Sequence, residues 1–369
     1  MKFIICATIL PKEIEMKLPG ASPAAGNFIR RMESAIKNKG YSIEECSFVA
    51  LSGARELYEE YAYSQVGVVF KDKTIVKSVY DYQRMVLTKA HCGDVVLFYN
   101  IVYFDLGLVS KLKKMGVTPV LILADYTESA EEKHPIKRIL SVLQRREFSK
   151  FDYGVILSEE SKQFFNKCAK TVIMEGGVVL EDYSNIPYPE MTDNTRFLYA
   201  GTFSKVTGVD ILLEAISKVN DPRLEFYFSG KGYLNDSIIE ASQKDSRIKY
   251  LGFLDDKTYF DTLKKIHVFI NPRNMTLPQN RNNFPSKVLE YLACGRPVIS
   301  TKFPGYRMFE QNFIFCENDT NSLAEAIVRT SHLSDNDYHE YYSLNTEKAK
   351  NYSWEKQVEK VIDLIGLNS

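Results

Sequence analysis

Hydrophobic positions along the chain fall into two alternating kinds of segment. Short runs rich in Val, Ile, Leu and Phe are each followed by longer stretches in which apolar residues recur every three or four positions. In the first half, the predicted strands are residues 2–9, 46–51, 93–100, 119–125, 153–158 and 171–175, and the predicted helices are 28–40, 79–90, 109–116, 135–151 and 161–170. A strand followed by a helix, repeated, predicts a parallel sheet covered by helices on both faces.

This pattern pauses at residues 181–196, where two prolines and clustered polar residues indicate a linker. It then restarts with predicted strands at 196–201, 224–232, 248–254, 267–272, 297–301 and 313–318, and helices at 209–219, 238–244, 257–266 and 353–367, with one more helix after Phe284. The sequence therefore predicts a second α/β domain of the same kind.

We predict three parts: an N-terminal, acceptor-side Rossmann-like domain over 1–182, a nucleotide-sugar-binding Rossmann-like domain over 195–350, and a C-terminal helix over 351–369 that packs across both. Open α/β sheets bind ligands beyond the carboxyl ends of their strands. Two such domains facing each other would enclose a cleft, with a donor on one side and an acceptor on the other.

Charge and cysteine usage narrow the class of protein. Among 369 residues, 47 Lys and Arg balance 47 Asp and Glu, so the basic excess that a nucleic-acid partner requires is absent. The six cysteines lack metal-ligand spacing, which favours free thiols in a reducing compartment. MKFIICATIL predicts a core strand rather than a signal peptide, and no run reaches the ~18 apolar residues of a spanning helix. We expect a cytoplasmic protein.

The stretch FPSKVLEYLACGRPVIST, residues 284–301, predicts a short helix that turns directly into a buried strand. Ser286 is expected to cap the helix through its hydroxyl, and Gly295 to end it in the left-handed conformation. Lys287 and Glu290 then lie on one face of the first turn.

A helix N-terminus attracts anions, and Lys287 there opposes the helix dipole unless an anion binds. Glu290 can accept two hydroxyl hydrogen bonds from a sugar such as ribose. The alternative is a surface Lys–Glu pair that contributes only about 0.2–0.5 kcal/mol. The place of this helix at the predicted cleft favours a ligand.

Three further loops leave predicted strands and carry glycine. The loop from Gly201 to Gly208 includes Lys205, which could meet phosphate. The second contains Gly230, and the third, Gly252-Phe253-Leu254, could hold a planar base. Each loop alone is equally consistent with an ordinary turn.

Cations near these loops could stabilise a departing diphosphate, because negative charge builds on it in the transition state. The candidates are Lys205, Arg273 and Arg281. The alternative for each arginine is a solvated loop charge.

The stretches FINPR…FPSKVLEYLACGRPVIST, YAGTFSKVTGVDILLEA and YSWEKQ together resemble the C-terminal half of retaining glycosyltransferases of family 4, which have the GT-B fold. The similarity is greatest to members that build bacterial capsular polysaccharides or exopolysaccharides, and it covers most of residues 196–360. The resemblance implies two facing Rossmann-like domains, a UDP- or GDP-linked sugar donor, no further cofactor and no metal. It also implies a glycan or lipid-diphosphate-linked acceptor in cell-surface polysaccharide synthesis.

The resemblance assigns roles to individual residues. Glu290 matches the second Glu of the family's E-x(7)-E motif, which holds the nucleotide ribose. Ser286 and Lys287 match positions whose backbone N–H groups meet the donor phosphates, and the Gly252 loop matches the segment that receives the nucleobase. Gly26-Asn27 matches the first-domain loop that closes on the donor.

This sequence departs from the family pattern at several positions. Asn282 stands where the first Glu of the motif would fall, and we keep it as a candidate catalytic residue. Thr202 and Thr207 stand where an Arg and a Lys are common, so Lys205 could substitute for the missing cation.

In the first domain, Asp125 and Glu128 follow the strand after which many members carry a His. These carboxylates either orient an acceptor hydroxyl or begin a helix. The departures leave two other functions open: a transferase-like scaffold without turnover, and a GT-B UDP-sugar 2-epimerase, which the helix after Phe284 fits less well.

Residues 133–150 contain six Lys or Arg and one Glu, together with an apolar stripe of Ile136, Ile139, Leu140 and Leu143. Such a helix could dock on an anionic membrane surface. It could equally pack its stripe on the sheet and leave a solvated basic face, which is the interpretation we favour. Residues 26–40 form a second basic helix with the same two interpretations.

Overall fold

The computed structural model describes residues 1–18, 21, 23–124, 135–277, 280 and 284–367. The chain divides into two compact units. Unit 1 comprises Met1–Gly177 and Trp354–Ser369, and unit 2 comprises Val178–Ser353. Both are built from parallel strands connected by helices, so the predicted α/β class is confirmed.

In the described part of unit 1, seven parallel strands form a sheet in the order β3-β2-β1-β4-β5-β6-β7. The strands are β1 Phe3–Ala7, β2 Ile43–Val49, β3 Val68–Phe70, β4 Val95–Tyr99, β5 Thr118–Leu123, β6 Tyr153–Ile156 and β7 Lys170–Ile173. The helices before Gly177 are α1 Lys12–Lys17, α2 Pro23–Asn38, α3 Ala54–Glu60, α4 Ile75–Lys89, α5 Leu108–Lys114 and α6 Pro135–Phe148. Side chains of α4, α5 and α6 share one buried cluster with the sheet, so these helices cover the same face.

Unit 2 repeats the plan with strands in the order β10-β9-β8-β11-β12-β13. These strands are β8 Thr195–Thr202, β9 Leu224–Lys231, β10 Ile248–Gly252, β11 Val268–Asn271, β12 Val298–Thr301 and β13 Phe313–Cys316. The helices are α7 Leu180–Tyr183, α8 Val209–Lys218, α9 Asn235–Lys244, α10 Asp256–Leu263, α11 Lys287–Ala293, α12 Thr320–Ser331 and α13 Asp335–Ala349.

The C-terminal helix, α14 Trp354–Leu364, packs back on unit 1, as predicted. The Trp354 ring meets Phe28 of α2 edge-on at a centroid distance of 5.1 Å. A Cβ at Gly177 would lie 2.6 Å from the same ring, so only glycine leaves room for the indole. Lys360 adds an ion pair with the buried Glu175 at 3.3 Å.

Some elements differ from the prediction. The helix predicted over 161–170 is a 3-10 turn, Glu159–Phe164, and strand β7 already begins at Lys170. The sequence pattern did not predict α12 or α13. The second of these, DNDYHEYYSLNTEKA, has no clear apolar stripe, because its contacts are made by tyrosine rings and an asparagine.

Candidate active site

The strand order of unit 2 fixes where a ligand is expected. The chain builds β8, β9 and β10 in one direction and then returns to the other side of β8 with β11. In open α/β sheets a ligand binds at the carboxyl ends of the strands where this reversal occurs. The two loops at that point are residues 203–208 after β8 and residues 272–277 after β11.

Short hydrogen bonds hold the loop after β8 in shape. The Thr207 hydroxyl donates to the Thr202 carbonyl at 2.6 Å and lies 2.9 Å from the Ser204 carbonyl. The Tyr199 hydroxyl donates to the same Thr202 carbonyl at 2.7 Å, and burial raises the pKa of Tyr199 to about 12, so it remains a donor at neutral pH. Thr207 therefore braces the loop at the position where the resembling family commonly has a lysine.

The loops after β8 and β11 are fastened to each other. Gly208 has φ +72°, and a Cβ there would lie 1.4 Å from the Pro272 carbonyl oxygen. The amide nitrogen of Asn280 donates to the carbonyls of Val206 and Asn274, both at 2.8 Å. The two loops therefore form one rigid base at the reversal point.

This base carries two of the predicted cations. Arg273 is half-buried and donates to Asn280 Oδ1 at 3.3 Å, and no carboxylate of the described residues forms an ion pair with it. Lys205 is exposed, and its backbone N–H donates to the Tyr233 hydroxyl at 2.7 Å. Both side chains are available to an anion at the carboxyl edge.

The ends of β8, β9 and β10 lie close together. A Cβ at Gly230 would lie 1.8 Å from the Gly201 carbonyl oxygen, which explains the glycine. Gly252 has φ +67°, and the Phe253 ring that follows it is 55% exposed. Gly201 and Thr202 are likewise exposed, while Leu254 is half-buried.

Lys231, at the end of β9, is a residue that the sequence analysis missed. Its ammonium group lies 5.1 Å from the centroid of the Phe253 ring, a cation–π distance. The available signal was a lysine between two glycines at a strand end, in SGKG. Lys231 adds a third cation to this edge of the sheet.

Helix α11 is seated on the sheet by Tyr291. Its ring stacks on Phe269 of β11 at 4.2 Å, and its hydroxyl donates to the Ala200 carbonyl at 3.2 Å. Gly295 ends the helix with φ +65°, as predicted. The predicted side-chain cap by Ser286 is wrong, because Ser286 already has helical backbone angles and its hydroxyl caps no N–H group.

The turn before α11 is also fixed. The Tyr306 hydroxyl donates to the Pro285 carbonyl at 3.1 Å and accepts from Asn271 at 3.2 Å. Asn271 also donates to the Ser300 hydroxyl at 3.0 Å. This buried network ties the start of the helix to the ends of β11 and β12.

Lys287 and Glu290 form an ion pair at 2.7 Å, and both side chains stay partly exposed, at 35% and 28%. Tyr259 joins them: its hydroxyl donates to Glu290 Oε2 at 3.2 Å, and its ring centroid lies 4.3 Å from the Lys287 ammonium group. Burial and the charge of Glu290 raise the pKa of Tyr259 and of Tyr183 well above the usual value. The ion pair expected as the alternative is present, within a cluster that also orients the carboxylate.

Gly26 and Asn27 do not form a loop, which corrects that part of the prediction. Both lie in α2, which begins at Pro23, a residue suited to the first turn of a helix. Gly26 is buried, and a Cβ there would lie 2.0 Å from a carboxylate oxygen of Glu15. Asn27 is exposed and accepts from Arg30 at 2.9 Å.

Four of the predicted or considered residues lie outside the described part of the chain: Asp125, Glu128, Arg281 and Asn282. Within the described residues, no group of three or more His, Cys, Asp and Glu side chains could hold a metal ion. The same residues include no helix with both the length and the apolar character needed to cross a bilayer.

Comparison with known proteins places this geometry in a class. Residues 194–332 match the family described as "Glycosyl transferases group 1". The chain is 13% identical to Anabaena Alr3699/HepE, solved in complex with UDP, with a TM-score of 0.73 and 100% of both chains covered. It is 14% identical to sucrose-phosphate synthase from Thermosynechococcus elongatus, with a TM-score of 0.71 over 100% of this chain and 99% of that one. These likenesses show a GT-B fold.

Two curated relatives are similar in sequence. The chitobiosyldiphosphodolichol beta-mannosyltransferase of Debaryomyces hansenii is 23% identical over 261 residues, which cover 59% of this chain. One chain of the human phosphatidylinositol N-acetylglucosaminyltransferase is 28% identical over 129 residues, which cover 33% of this chain. The matches span 51% and 25% of those two proteins. Together with the group 1 match, they support the class of a GT-B glycosyltransferase.

Proposed function

We propose that this protein is a retaining, metal-independent glycosyltransferase. It moves a hexose from a UDP- or GDP-linked donor to a glycan or lipid-diphosphate-linked acceptor during cell-surface polysaccharide synthesis. The observation that carries this proposal is the match of residues 194–332 to the group 1 glycosyl transferases. The matched segment includes the whole carboxyl edge of unit 2, with its glycine loops and cations.

The donor diphosphate is proposed to bind at the loops after β8 and β11. Lys205 and Arg273 are cations there without a carboxylate partner in the described residues, and the Gly201 and Thr202 backbone is exposed beside them. Ser286 and Lys287 would add N–H groups and charge from the first turn of α11. A nucleotide donor is further supported by the solved complexes of HepE with UDP and with UDP-glucose.

The nucleoside is proposed to extend along the strand ends towards β10. Phe253 offers an exposed ring for the base beside Gly252, Leu254 and the end of β9 at Gly230. Glu290 would accept hydrogen bonds from the ribose hydroxyls, in the orientation that Tyr259 and Lys287 give it.

In the proposed reaction, the bond between the sugar's anomeric carbon and the diphosphate oxygen breaks while the acceptor oxygen bonds to the same carbon. The acceptor proton passes to the leaving diphosphate, and the new bond forms on the face that the diphosphate leaves. Lys205 and Arg273 would stabilise the charge that accumulates on that group. Asp125, Asn282, Gly26 and Asn27 remain proposed contributors from the acceptor and donor sides.

A lipid-linked acceptor is supported by the names of the two curated relatives, a chitobiosyldiphosphodolichol mannosyltransferase and a phosphatidylinositol N-acetylglucosaminyltransferase. We accordingly propose that the protein works in the cytoplasm and at the membrane surface. The acceptor-side residues are proposed to lie in the first Rossmann-like domain.

A scaffold without turnover is the second candidate, and one observation favours it. The hydroxyl of Thr207 is used to brace its own loop, so this position offers the donor no charge. In such a scaffold the nucleotide would bind without being consumed.

The test is a panel of UDP-, GDP- and dTDP-sugars, with nucleotide binding followed by calorimetry and sugar release followed by mass spectrometry. We expect one nucleotide class to bind and its sugar to be released or transferred, with activity unchanged by EDTA. The anomeric configuration of the product, read by NMR, tests retention. Tight binding with no turnover would replace the enzyme with the scaffold, and no binding by any nucleotide would reject both.

A further inference from the structure

Unit 1 exposes large apolar side chains at the start of two helices. In α4, Val76 is 75% and Tyr80 is 63% exposed. In α6, Ile136 is 64% and Ile139 is 62% exposed. The interpretation that α6 packs its whole stripe on the sheet is therefore wrong for these two residues, although Leu140 and Leu143 are half-buried.

Both helices extend past the same edge of the sheet. The Gln83 side chain of α4 donates to the Phe104 carbonyl at 3.0 Å, and the Gln144 side chain of α6 donates to the Ile101 carbonyl at 2.7 Å. These carbonyls belong to the segment that directly follows β4, at the carboxyl edge. The helical turns that precede the two glutamines therefore project beyond that edge, on the face that α4 and α6 share.

Cationic side chains surround these apolar residues. Exposed cations on or beside α4 are Lys73, Lys77 and Arg84, and those on α6 are Arg138 and Arg146. Residues 71–84 contain four Lys or Arg and two Asp, and residues 135–148 contain four Lys or Arg and one Glu. That glutamate, Glu147, is buried and paired with Lys150, so the exposed surface is cationic.

The other basic helix does not offer such a surface, which settles its two interpretations. In α2 the apolar residues Ile29, Met32 and Ile36 are at most 1% exposed. Their face is covered within unit 1, where α14 also packs on α2.

We propose that the exposed apolar and cationic residues at the starts of α4 and α6, the α4–α6 surface, dock unit 1 on an anionic lipid bilayer. Ile, Val and Tyr side chains would enter the headgroup boundary, and the long Lys and Arg side chains would meet anionic headgroups. Aliphatic side chains ringed by cations match that boundary in both polarity and charge. The inference deepens and rests on the proposed function, because a lipid-linked acceptor would be met at this surface.

The experiment is co-sedimentation of the full chain with vesicles of phosphatidylcholine alone or of phosphatidylcholine and phosphatidylglycerol in equal parts. We expect binding to the anionic vesicles, weakened by added salt. The apolar variants are Ile136→Ser with Ile139→Ser, and Val76→Ser with Tyr80→Ser. The charge variant is Arg138→Glu with Arg146→Glu. Each should weaken partitioning by about tenfold or more, since one cation near an anionic surface contributes nearly that much.

Matched controls lie at the opposite edge of the same sheet. Val66 is 85% exposed just before β3, and Met115 is 37% exposed before β5, so Val66→Ser with Met115→Ser removes comparable apolar surface. Lys114→Glu with Lys167→Glu reverses two exposed charges at that edge. These variants should bind vesicles like the unaltered chain.

Equal loss in both sets of variants, or no binding by the unaltered chain, overturns the proposal. Concentration-dependent self-association in ultracentrifugation without lipid, abolished by the α4–α6 substitutions, would assign the surface to a second copy of the chain and also overturn it. Nucleotide binding is measured separately in each variant. Vesicle binding without nucleotide binding would leave the surface standing while the proposed function falls.

Discussion

At the scale of single residues, Glu290 shows how a neighbouring side chain changes the meaning of a motif. The sequence places Lys287 and Glu290 on one helical turn, and either a ligand pair or a surface ion pair follows from that spacing. Tyr259 comes from α10 and contacts both partners. No local pattern could predict this contact, because it depends on how α10 and α11 pack in three dimensions.

Replacing Glu290 with glutamine is expected to weaken nucleotide binding about tenfold or more, since a hydrogen bond to a charged group contributes about 1.5–3 kcal/mol. The amide can still accept from Tyr259, so the free energy of unfolding should change by less than about 1 kcal/mol. Calorimetric titration of the Glu290→Gln variant with the bound nucleotide measures the first effect, and urea unfolding the second. An unchanged dissociation constant would contradict the ribose role.

Asp105 provides a pH-dependent test of the core of unit 1. Burial raises the pKa of its carboxyl to about 7, although it accepts from Tyr82 and from the Val102 N–H at 3.0 Å each. The ordinary value is 3.8. Between these values the folded chain keeps a proton that the unfolded chain loses, so the free energy of unfolding falls as pH rises from about 4 to about 7.

The Asp105→Asn variant should lack this component, because an amide can accept from Val102 and donate to Tyr82 without titrating. Its stability relative to the unaltered chain should rise between about pH 4 and about pH 7, by at most about 4 kcal/mol. Urea unfolding at both ends of that range measures the difference. Glu33, whose pKa burial and Glu45 raise to about 8, has the same sign and is retained in both proteins. Parallel pH profiles would refute the assignment.

At the scale of elements, most of the fold was predictable because burial imposes a period on the sequence. β8 to β13 each follow an apolar run, and Gly295 ends α11 where predicted. The bracing of the candidate site was not predictable. A threonine hydroxyl that holds its own loop and an asparagine that joins two loops leave no periodic signal.

Gly208 joins the loops after β8 and β11, so Gly208→Ala should be destabilising. The added methyl meets the Pro272 carbonyl in addition to the left-handed strain, and we expect a loss of at least about 2 kcal/mol. Gly252→Ala is the matched control, because Gly252 has a similar φ of +67° and its nearest neighbour is 3.9 Å away. That variant should lose only about 1 kcal/mol. Equal losses in urea unfolding would show that the close approach contributes nothing.

At the scale of the whole molecule, the chain leaves unit 1 at Gly177 and returns to it at Trp354. The first half of this plan followed from the repeated strand–helix pattern. The return of the last helix to unit 1 could not be read from its own apolar stripe, which says that α14 packs but not on which surface.

Trp354→Ala is expected to loosen unit 1 alone. Removing a large buried ring usually costs about 3–5 kcal/mol, and Trp354 is 6% exposed against Phe28 and Gly177. Hydrogen exchange should quicken in α2 and β7, while β8 and β9 keep their protection. Trp354→Phe, which preserves an aromatic contact, should show a smaller effect. Equal loss of protection in both units would contradict this division.

The two ends of unit 2 lie side by side, since the Val178 N–H donates to the Tyr352 carbonyl at 2.8 Å. Residues 178–353 are thus an uninterrupted insertion, whereas unit 1 receives its final helix only from the last residues of the chain. During synthesis on the ribosome, the inserted unit is complete before the unit that surrounds it in sequence. The segment translated first is the one that must wait longest for its missing piece.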